Sequence, residues 1–309
     1  MSVLFHCPDI PAAPWVTALA AALPGIDVRA WPDTGEPAAV EYAILWGDAA
    51  GDMRRFANLK VLFSLGAGVE HILGNPLRPP DVPVVRLIDP AHRTGMIEYV
   101  LMRVLHYHRR MPEYAAQQAQ GIWRERSQCA PGDRRVGIMG MGELGTGCAE
   151  ILVRLGFDVA GWSRSPPTIV GVTGFAGRDA LAAFLARTEI LVNLLPLTPE
   201  TVGILDAGTL AMLQKNACLI NVGRGRHLVE GDLLAALDSG HLAGATLDVF
   251  CTEPLQKDHP FWTHPKVTVT PHIAAMTLLQ SAVPAIAENV RRHRAGEPMV
   301  GVVDPARGY

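Results

Sequence analysis

Residues 135–145 read Arg-Val-Gly-Ile-Met-Gly-Met-Gly-Glu-Leu-Gly, and this segment is the strongest indication of the fold. An apolar strand runs directly into a Gly-x-Gly-x-x-Gly turn, and the apolar spacing of residues 148–155 predicts that a helix follows. In such a turn Gly140 permits the tight bend, Gly142 lets the backbone approach a pyrophosphate, and Gly145 lets helix and strand pack closely. A purely structural glycine turn is the alternative. The flanking strand and helix favour a dinucleotide-binding turn.

The start of that helix supplies groups that bind an anion. Backbone N–H groups in the first helical turn have no partner within the helix, and the helix dipole adds positive partial charge at the same place. We therefore predict that the turn and the helix start bind the phosphates of the cofactor, through residues Gly140, Gly142, Glu143, Leu144 and Gly145.

The end of the second strand of such a fold decides between NAD and NADP, because an Asp or Glu there binds the ribose 2′-hydroxyl of NAD. This sequence has Ser163, Arg164 and Ser165 at that place. No carboxylate would repel a 2′-phosphate, Arg164 could pair with it, and the serines could donate hydrogen bonds to it. An ordinary surface arginine is the alternative. We predict that NADPH is preferred as cofactor, with NADH as the weaker choice.

Strands that alternate with helices predict an α/β protein with parallel sheets. In the second half six strands match a doubly wound dinucleotide-binding domain; they cover 136–139, 158–162, 190–194, 218–221, 244–247 and 267–270. In the first half strands are predicted at 3–7, 42–46, 61–64 and 84–87, with helices at 11–23 and from about 47 to 58. Long helices follow at 96–110 and 278–293.

The composition is that of a globular protein with two domains. The chain has 309 residues, of which 49% are hydrophobic and 18% charged, and its net charge is −3. This balance gives no indication of a nucleic-acid or membrane partner. Five scattered cysteines without a CxxC pair argue against disulfides and structural zinc, and no signal peptide or long apolar run is present. We predict a cytoplasmic protein that binds no metal.

Three polar side chains follow predicted strands of the second half: Arg224, Glu253 and His272. The carboxyl ends of parallel strands are where such sheets bind ligands. Reducing a 2-oxo acid needs a cation for the carboxylate and carbonyl, which Arg224 could supply, and a proton donor, which His272 could be. A Glu253 carboxylate beside the imidazole would favour its protonated form and fix its orientation. Taken singly, these residues could be a surface arginine and a loop histidine; together they predict a catalytic triad.

Five motifs in order resemble the D-isomer-specific 2-hydroxyacid dehydrogenase family. They are residues 140–145, 194–201, 221–225, 247–254 and 271–275. Within the family the chain is most similar to the bacterial reductases of glyoxylate and hydroxypyruvate, including residues 175–178, 234–240 and 303–309. The resemblance implies a Rossmann dinucleotide-binding domain inserted into a flavodoxin-like substrate domain. We place the substrate domain at residues 1–95 plus 276–309 and the Rossmann domain at residues 96–275.

The resemblance also implies further roles. In the cofactor domain, Asp248 would contact the nicotinamide carboxamide, and the nearby cofactor-binding positions would be Leu195, Pro196, Val222 and Gly223. In the first domain, a loop whose N–H groups bind the substrate carboxylate would use Gly66, Ala67 and Gly68. Trp46 would line the active site, with simple packing as the alternative. Glu70 departs from the Asp that the family often has after this loop. Family members are usually homodimers joined through the cofactor domain.

These inferences predict an enzyme that reduces a small 2-oxo acid, such as glyoxylate or hydroxypyruvate, with NADPH, in a cleft between its domains. Arg224 would bind the substrate together with His272, and His272 would donate the proton. A rival prediction is a redox sensor of the same fold, related to corepressors, that binds NAD(P)H without turnover. A third is a 2-hydroxyacid dehydrogenase for a bulkier substrate.

Overall fold

The computed structural model describes residues 1–47 and 51–304, which form two α/β units. The first unit consists of residues 1–92 and the chain from Thr277 onward, and the second consists of residues 93–276. Each unit has its own sheet in which all paired strands are parallel, as the sequence predicted. Residues 305–309, the end of the tail that carries part of the family resemblance, lie outside the described residues.

The first unit is a five-stranded sheet with the order β2-β1-β3-β4-β5, the order of flavodoxin-like folds. Its strands are β1 (Ser2–His6), β2 (Asp27–Ala30), β3 (Val40–Leu45), β4 (Val61–Ser64) and β5 (Val84–Val85). Its helices are α1 (Ala12–Ala22), the short α2 (Glu70–Leu73) and, after the second unit, α9 (Leu279–Ala295). Apolar side chains of α1 and α9 pack on one face of the sheet, and a separate cluster covers the other face.

Two features of this unit differ from the sequence predictions. Strand β2 was missed because it is an edge strand, paired only with β1, and its residues are at most half-buried, so no alternating pattern marks it. The helix predicted up to residue 58 is wrong for the described residues 51–58, which contain only a 3-10 turn at Met53–Arg55. The Asp52 carboxylate caps this turn by accepting from the Arg54 N–H at 3.1 Å. The predicted segment also includes residues 48–50, which lie outside the described residues.

The second unit has a seven-stranded sheet with the order β12-β11-β10-β9-β6-β7-β8. The strands are β6 (Arg135–Met139), β7 (Asp158–Ser163), β8 (Val172–Ala176), β9 (Ile190–Asn193), β10 (Ala217–Asn221), β11 (Leu242–Leu247) and β12 (Val267–Val269). From β8 to β11 this is the Rossmann order 3-2-1-4-5-6, extended by β12. Strand order reverses between β6 and β9, where such folds bind dinucleotides.

The helices of the second unit cover both faces of its sheet. They are α3 (Pro90–His108) from Arg93 onward, α4 (Met111–Ala119), α5 (Glu143–Arg154), α6 (Leu181–Ala186), α7 (Ala207–Ala211) and α8 (Glu230–Asp238). Helix α3 begins earlier than predicted because Pro90 suits a first helical turn and Asp89 caps it, accepting from the Ala91 N–H at 3.0 Å. Strand β8 was missed because, like β2, it is a half-exposed edge strand. None of the described helices combines the length and apolar character needed to cross a membrane.

Candidate active site

The three predicted catalytic residues follow three strands that are neighbours in the sheet. Arg224 comes after β10, Glu253 after β11 and His272 after β12. Since these strands are parallel and adjacent, their carboxyl ends meet at one edge. The topology thus brings together side chains that lie up to 48 residues apart in the sequence (272 − 224).

His272 and Glu253 form a direct pair. The imidazole Nδ1 lies 2.7 Å from Oε2 of Glu253, whose Oε1 accepts a hydrogen bond from the Phe250 N–H at 2.9 Å. Because a carboxylate can only accept, Nδ1 of His272 carries a proton, and this N–H donates a hydrogen bond to Glu253. The two side chains are 37% and 36% exposed, so the pair lies at the surface of its unit rather than in its core.

The backbone of His272 is held in the left-handed region, with φ of 55°. This conformation is uncommon for a residue with a side chain, although histidine, asparagine and aspartate adopt it more readily than most. The His272 N–H donates to the carbonyl of Asp248 at 2.8 Å and to that of Thr270 at 3.1 Å. The end of β11 therefore imposes the conformation that aims the imidazole.

Asp248, predicted to contact the cofactor, is buried and braces the loop that carries His272. Its carboxylate accepts hydrogen bonds from the Thr270 hydroxyl at 2.6 Å and from the N–H groups of Ile273 and Ala274 at 2.9 and 2.8 Å. Helix α3 extends this network, because the Tyr99 hydroxyl lies 2.5 Å from that of Thr270. Neither Tyr99 nor Thr270 was singled out from the sequence, since a tyrosine in an apolar helix has no distinguishing pattern.

Arg224 lies close to this pair because Gly225 packs on the Phe250 backbone. A Cβ at Gly225 would overlap the carbonyl carbon of Phe250, so only glycine allows the approach. Burial, the largest influence, raises the pKa of Glu253. Hydrogen bonds from His272 and the Phe250 N–H, with the positive charges of His272 and Arg224, outweigh burial and hold this pKa below its ordinary value of 4.5. Glu253 is therefore a carboxylate at neutral pH.

The glycine turn after β6 has the geometry of a phosphate cradle. Gly140 has φ of 96°, and a Cβ there would lie 2.6 Å from the Leu194 carbonyl oxygen. At Gly145 a Cβ would overlap the Gly140 oxygen, whereas at Gly142 it would meet open space. In the described part of the chain, the N–H groups of Glu143 and Leu144 donate to no acceptor. The cradle fits a pyrophosphate, since it offers free donors and an open approach at Gly142.

The residues predicted to recognise the 2′-phosphate lie at the end of β7. Ser163 is the last residue of β7, and its hydroxyl donates to the Ser165 carbonyl at 2.6 Å. Arg164 is exposed. The pKa of Glu200 is lowered, first by a hydrogen bond from Thr198 and then by its own N–H, with a smaller effect from the positive charge of Arg164. Arg164 therefore lies near the segment that follows β9.

That segment contains the predicted cofactor positions Leu195 and Pro196. Leu195 is buried, and Gly140 packs directly on its backbone nitrogen and on Leu194. Val222 and Gly223 are buried after β10. These positions therefore lie at the carboxyl ends of β9 and β10, beside the glycine turn, where the Rossmann order reverses.

The predicted carboxylate loop in the first unit follows β4. A Cβ at Gly66 would overlap the ring of Trp46, so the indole lies directly on this loop. Trp46 is partly buried and packs edge-on against His71, with ring centroids 5.2 Å apart. Among the described residues no acceptor binds the N–H groups of Ala67 or Gly68. Trp46 thus packs on Gly66, the residue directly before the two free donors.

Comparisons with known proteins identify the family of the chain. Residues 101–274 match the family described as D-isomer specific 2-hydroxyacid dehydrogenase, NAD binding domain. The chain is 44% identical to the glyoxylate/hydroxypyruvate reductase A of Yersinia enterocolitica, over the full length of both proteins.

Solved structures are similar over the same length. A D-isomer specific 2-hydroxyacid dehydrogenase of Xanthobacter autotrophicus, in complex with NADPH and MES, is 44% identical, with a TM-score of 0.95 over 100% of this chain and 99% of that one. An NADPH-dependent glyoxylate/hydroxypyruvate reductase of Sinorhizobium meliloti, in complex with NADP and sulfate, is 42% identical, with a TM-score of 0.93 over 100% of both chains.

Proposed function

The chain belongs to the D-isomer-specific 2-hydroxyacid dehydrogenase family, and on that premise we propose that it reduces small 2-oxo acids, such as glyoxylate and hydroxypyruvate, with NADPH. When bound, NADPH supplies the hydride. The observation that carries the proposal is the His272–Glu253 pair, 2.7 Å apart, beside the Arg224 guanidinium. The cation matches the negative charge that the substrate already carries on its carboxylate, and the acid matches the charge that develops on the nascent alkoxide.

The residues of the second unit divide the chemistry among them. Arg224 binds the carboxylate and carbonyl oxygens of the substrate through its planar array of N–H donors. His272 donates the Nε2 proton to the carbonyl oxygen as negative charge develops there. Glu253 stays ionised, accepts from Nδ1 and stabilises the imidazolium until the proton leaves. Asp248 holds the His272 loop and contacts the nicotinamide carboxamide.

We assign the substrate domain to residues 1–95 with 276–309 and the cofactor domain to residues 96–275. In the substrate domain, the free N–H groups of Ala67 and Gly68 suit a carboxylate, and Trp46 forms an apolar wall against the neighbouring Gly66. In the cofactor domain, the glycine turn binds the pyrophosphate, and Arg164 with its serine neighbours binds the 2′-phosphate. Leu195, Pro196, Val222 and Gly223 line the crevice between turn and sheet edge.

Loss of NADPH absorbance after addition of glyoxylate or hydroxypyruvate tests this function directly. We expect turnover with both acids and slower turnover with a branched, bulkier oxo acid. Binding of NADPH without any turnover would favour the redox-sensor alternative. Faster turnover of the bulkier acid would favour the third prediction, a dehydrogenase of larger substrates.

We also propose that the enzyme is a homodimer joined through its second unit. Large apolar side chains of α3, α4 and the following segment are exposed, among them Met102, Met111, Ile122 and Trp123. Trp123 is 99% exposed, which is costly for an indole unless another surface covers it.

Sedimentation should show a dimer that Trp123→Asp weakens. Val170→Asp is the matched control, since Val170 is 94% exposed on another segment of the same unit, and a monomeric wild type would refute the dimer.

The cytoplasm remains our proposal for the location. All five cysteines are free thiols in the described residues, and three of them are buried. Free thiols and an NADPH-dependent reaction both suit a reducing compartment. Fractionation of cells that express the native chain would test this placement.

A further inference from the structure

His227 is a fully buried histidine only three residues after Arg224. Its Nδ1 accepts a hydrogen bond from the Arg224 N–H at 3.1 Å and lies 2.9 Å from Nδ2 of Asn193. On the opposite side of the ring, Nε2 lies 3.2 Å from the carbonyl oxygen of Pro196. One side chain therefore contacts the backbone of the substrate-binding arginine and the backbone of the predicted cofactor segment.

These contacts determine the protonation of the ring. Nδ1 faces an N–H donor, so it must be the unprotonated nitrogen. Nε2 faces a carbonyl oxygen, which only accepts, so Nε2 must carry the proton. A second proton on Nδ1 would point at the N–H of Arg224 and break that bond. The ring is thus held as the neutral Nε2–H tautomer.

Two buried asparagines at the ends of neighbouring strands support His227. Asn193 ends β9, and its Nδ2 also donates to Oδ1 of Asn221, the last residue of β10, at 2.9 Å. Asn221 in turn donates to the Arg224 carbonyl at 3.3 Å. A Cβ at Gly223 would lie 2.9 Å from Asn193 Nδ2 and 3.0 Å from His227 Nδ1, so the glycine leaves room for the network. Both backbone polar groups of Arg224 are therefore held by buried partners.

From these contacts we propose that His227 is a positioning residue that couples the backbone of Arg224 to the cofactor segment at Pro196. The proposal rests on the proposed function, because it assigns Arg224 to the substrate and Pro196 to the cofactor crevice. Nδ1 holds the arginine in its substrate-binding position. Nε2–H holds the Pro196 carbonyl, which also accepts from the Thr201 hydroxyl at 2.7 Å.

Two substitutions of His227 separate the effects of its two hydrogen bonds, one to Arg224 and one to Pro196. In His227→Asn the side-chain oxygen takes the place of Nδ1 and can still accept from Arg224, but the donor to Pro196 is lost. In His227→Gln the side-chain amide reaches the place of Nε2 and can donate to Pro196, but the acceptor for Arg224 is lost. Binding is measured by titration with NADPH and, on the NADPH complex, with oxamate, which resembles a 2-oxo acid but is not reduced.

We expect His227→Gln to weaken oxamate binding about 10-fold and to leave NADPH binding within about 2-fold of the wild type, since one buried hydrogen bond is lost on the arginine side. For His227→Asn we expect the reverse, with NADPH binding weakened and oxamate binding nearly unchanged. If both variants lost affinity for both ligands to the same extent, the role of His227 would be merely structural and the proposal would be overturned. Unchanged affinity in both variants would overturn it as well.

A measurement on the wild type covers the case in which the variants do not fold. Nitrogen-15 NMR of the labelled histidines should show an unprotonated Nδ1 and a protonated Nε2 for His227. The opposite tautomer would overturn the proposal. Oxo-acid turnover by the wild type is measured separately, so an inactive wild type with the expected His227 spectrum would sink the proposed function and leave the network intact.

Discussion

The Nδ1 atom of His272 lies 2.7 Å from Oε2 of Glu253, and the other oxygen of that carboxylate accepts from the Phe250 N–H at 2.9 Å. Both oxygens of Glu253 are therefore held, which fixes the plane of the carboxylate and, through it, the plane of the imidazole. Because the pKa of Glu253 lies below 4.5, its carboxylate keeps its negative charge throughout the neutral range. The pair can thus present a proton on Nε2 repeatedly, without reorienting between turnovers.

Replacing His272 by asparagine should reduce kcat for glyoxylate about 100- to 10,000-fold, the loss that usually follows removal of a general acid. Asparagine tolerates the left-handed backbone at this position, so the loop should keep its shape. Steady-state kinetics and NADPH titration would show lost turnover with retained cofactor binding. A variant with nearly normal kcat would exclude the proton-donor role.

Glu253 should stabilise the folded protein at neutral pH and lose this effect in acid. Its folded-state pKa is lower than the ordinary 4.5, so its contribution is fully present above about pH 4.5 and is lost as pH falls through the folded-state value. The Tm difference between wild type and Glu253→Gln should therefore be larger at pH 7 than at about pH 3.5. A thermal melt series checks this, and a difference that grows on acidification would contradict the ionised brace.

Arg164→Ala should weaken NADPH binding and leave NADH binding unchanged, because only NADPH carries the 2′-phosphate that Arg164 is proposed to pair with. Loss of a charge-assisted hydrogen bond of about 1.5–3 kcal/mol corresponds to about a 10- to 150-fold rise in KM for NADPH. The control is Arg154→Ala, which removes an exposed positive charge at the last residue of α5, the opposite end of that helix from the glycine turn. A wild type with equal affinity for the two cofactors would remove the basis of this prediction.

Two glycines of the same turn should respond differently to alanine. At Gly145 a Cβ overlaps the Gly140 oxygen, so Gly145→Ala should destabilise the unit by about 1–3 kcal/mol, as overpacking commonly does. At Gly142 a Cβ meets open space, so Gly142→Ala should leave Tm nearly unchanged but obstruct the pyrophosphate. Melting curves and NADPH titrations on both variants measure the two effects, and unimpaired NADPH binding by Gly142→Ala would argue against the cradle.

Edge strands and polar networks account for most of what sequence patterns did not predict. Strands β2 and β8 lie at sheet edges, where partial exposure removes the apolar periodicity that marks the central strands. Asn193 and Asn221 each follow an apolar run and end a strand, which is a signal that could have drawn attention to them. His227 carried no such signal, because a histidine in a loop is indistinguishable from a solvated one until its partners are known.

Residue types and short spacings along the chain were enough to predict the alternation of strands and helices and the glycine turn. Together with the family resemblance, they also made Arg224, Glu253 and His272 the predicted triad. Three contacts could be seen only in the folded chain: Glu253 accepts from His272, Gly225 brings Arg224 close to that pair, and His227 links Arg224 to Pro196. The physical reason is that these contacts join loops from different strands. Their distances depend on the order of strands in the sheet and on the packing of glycine backbones, which no local pattern encodes.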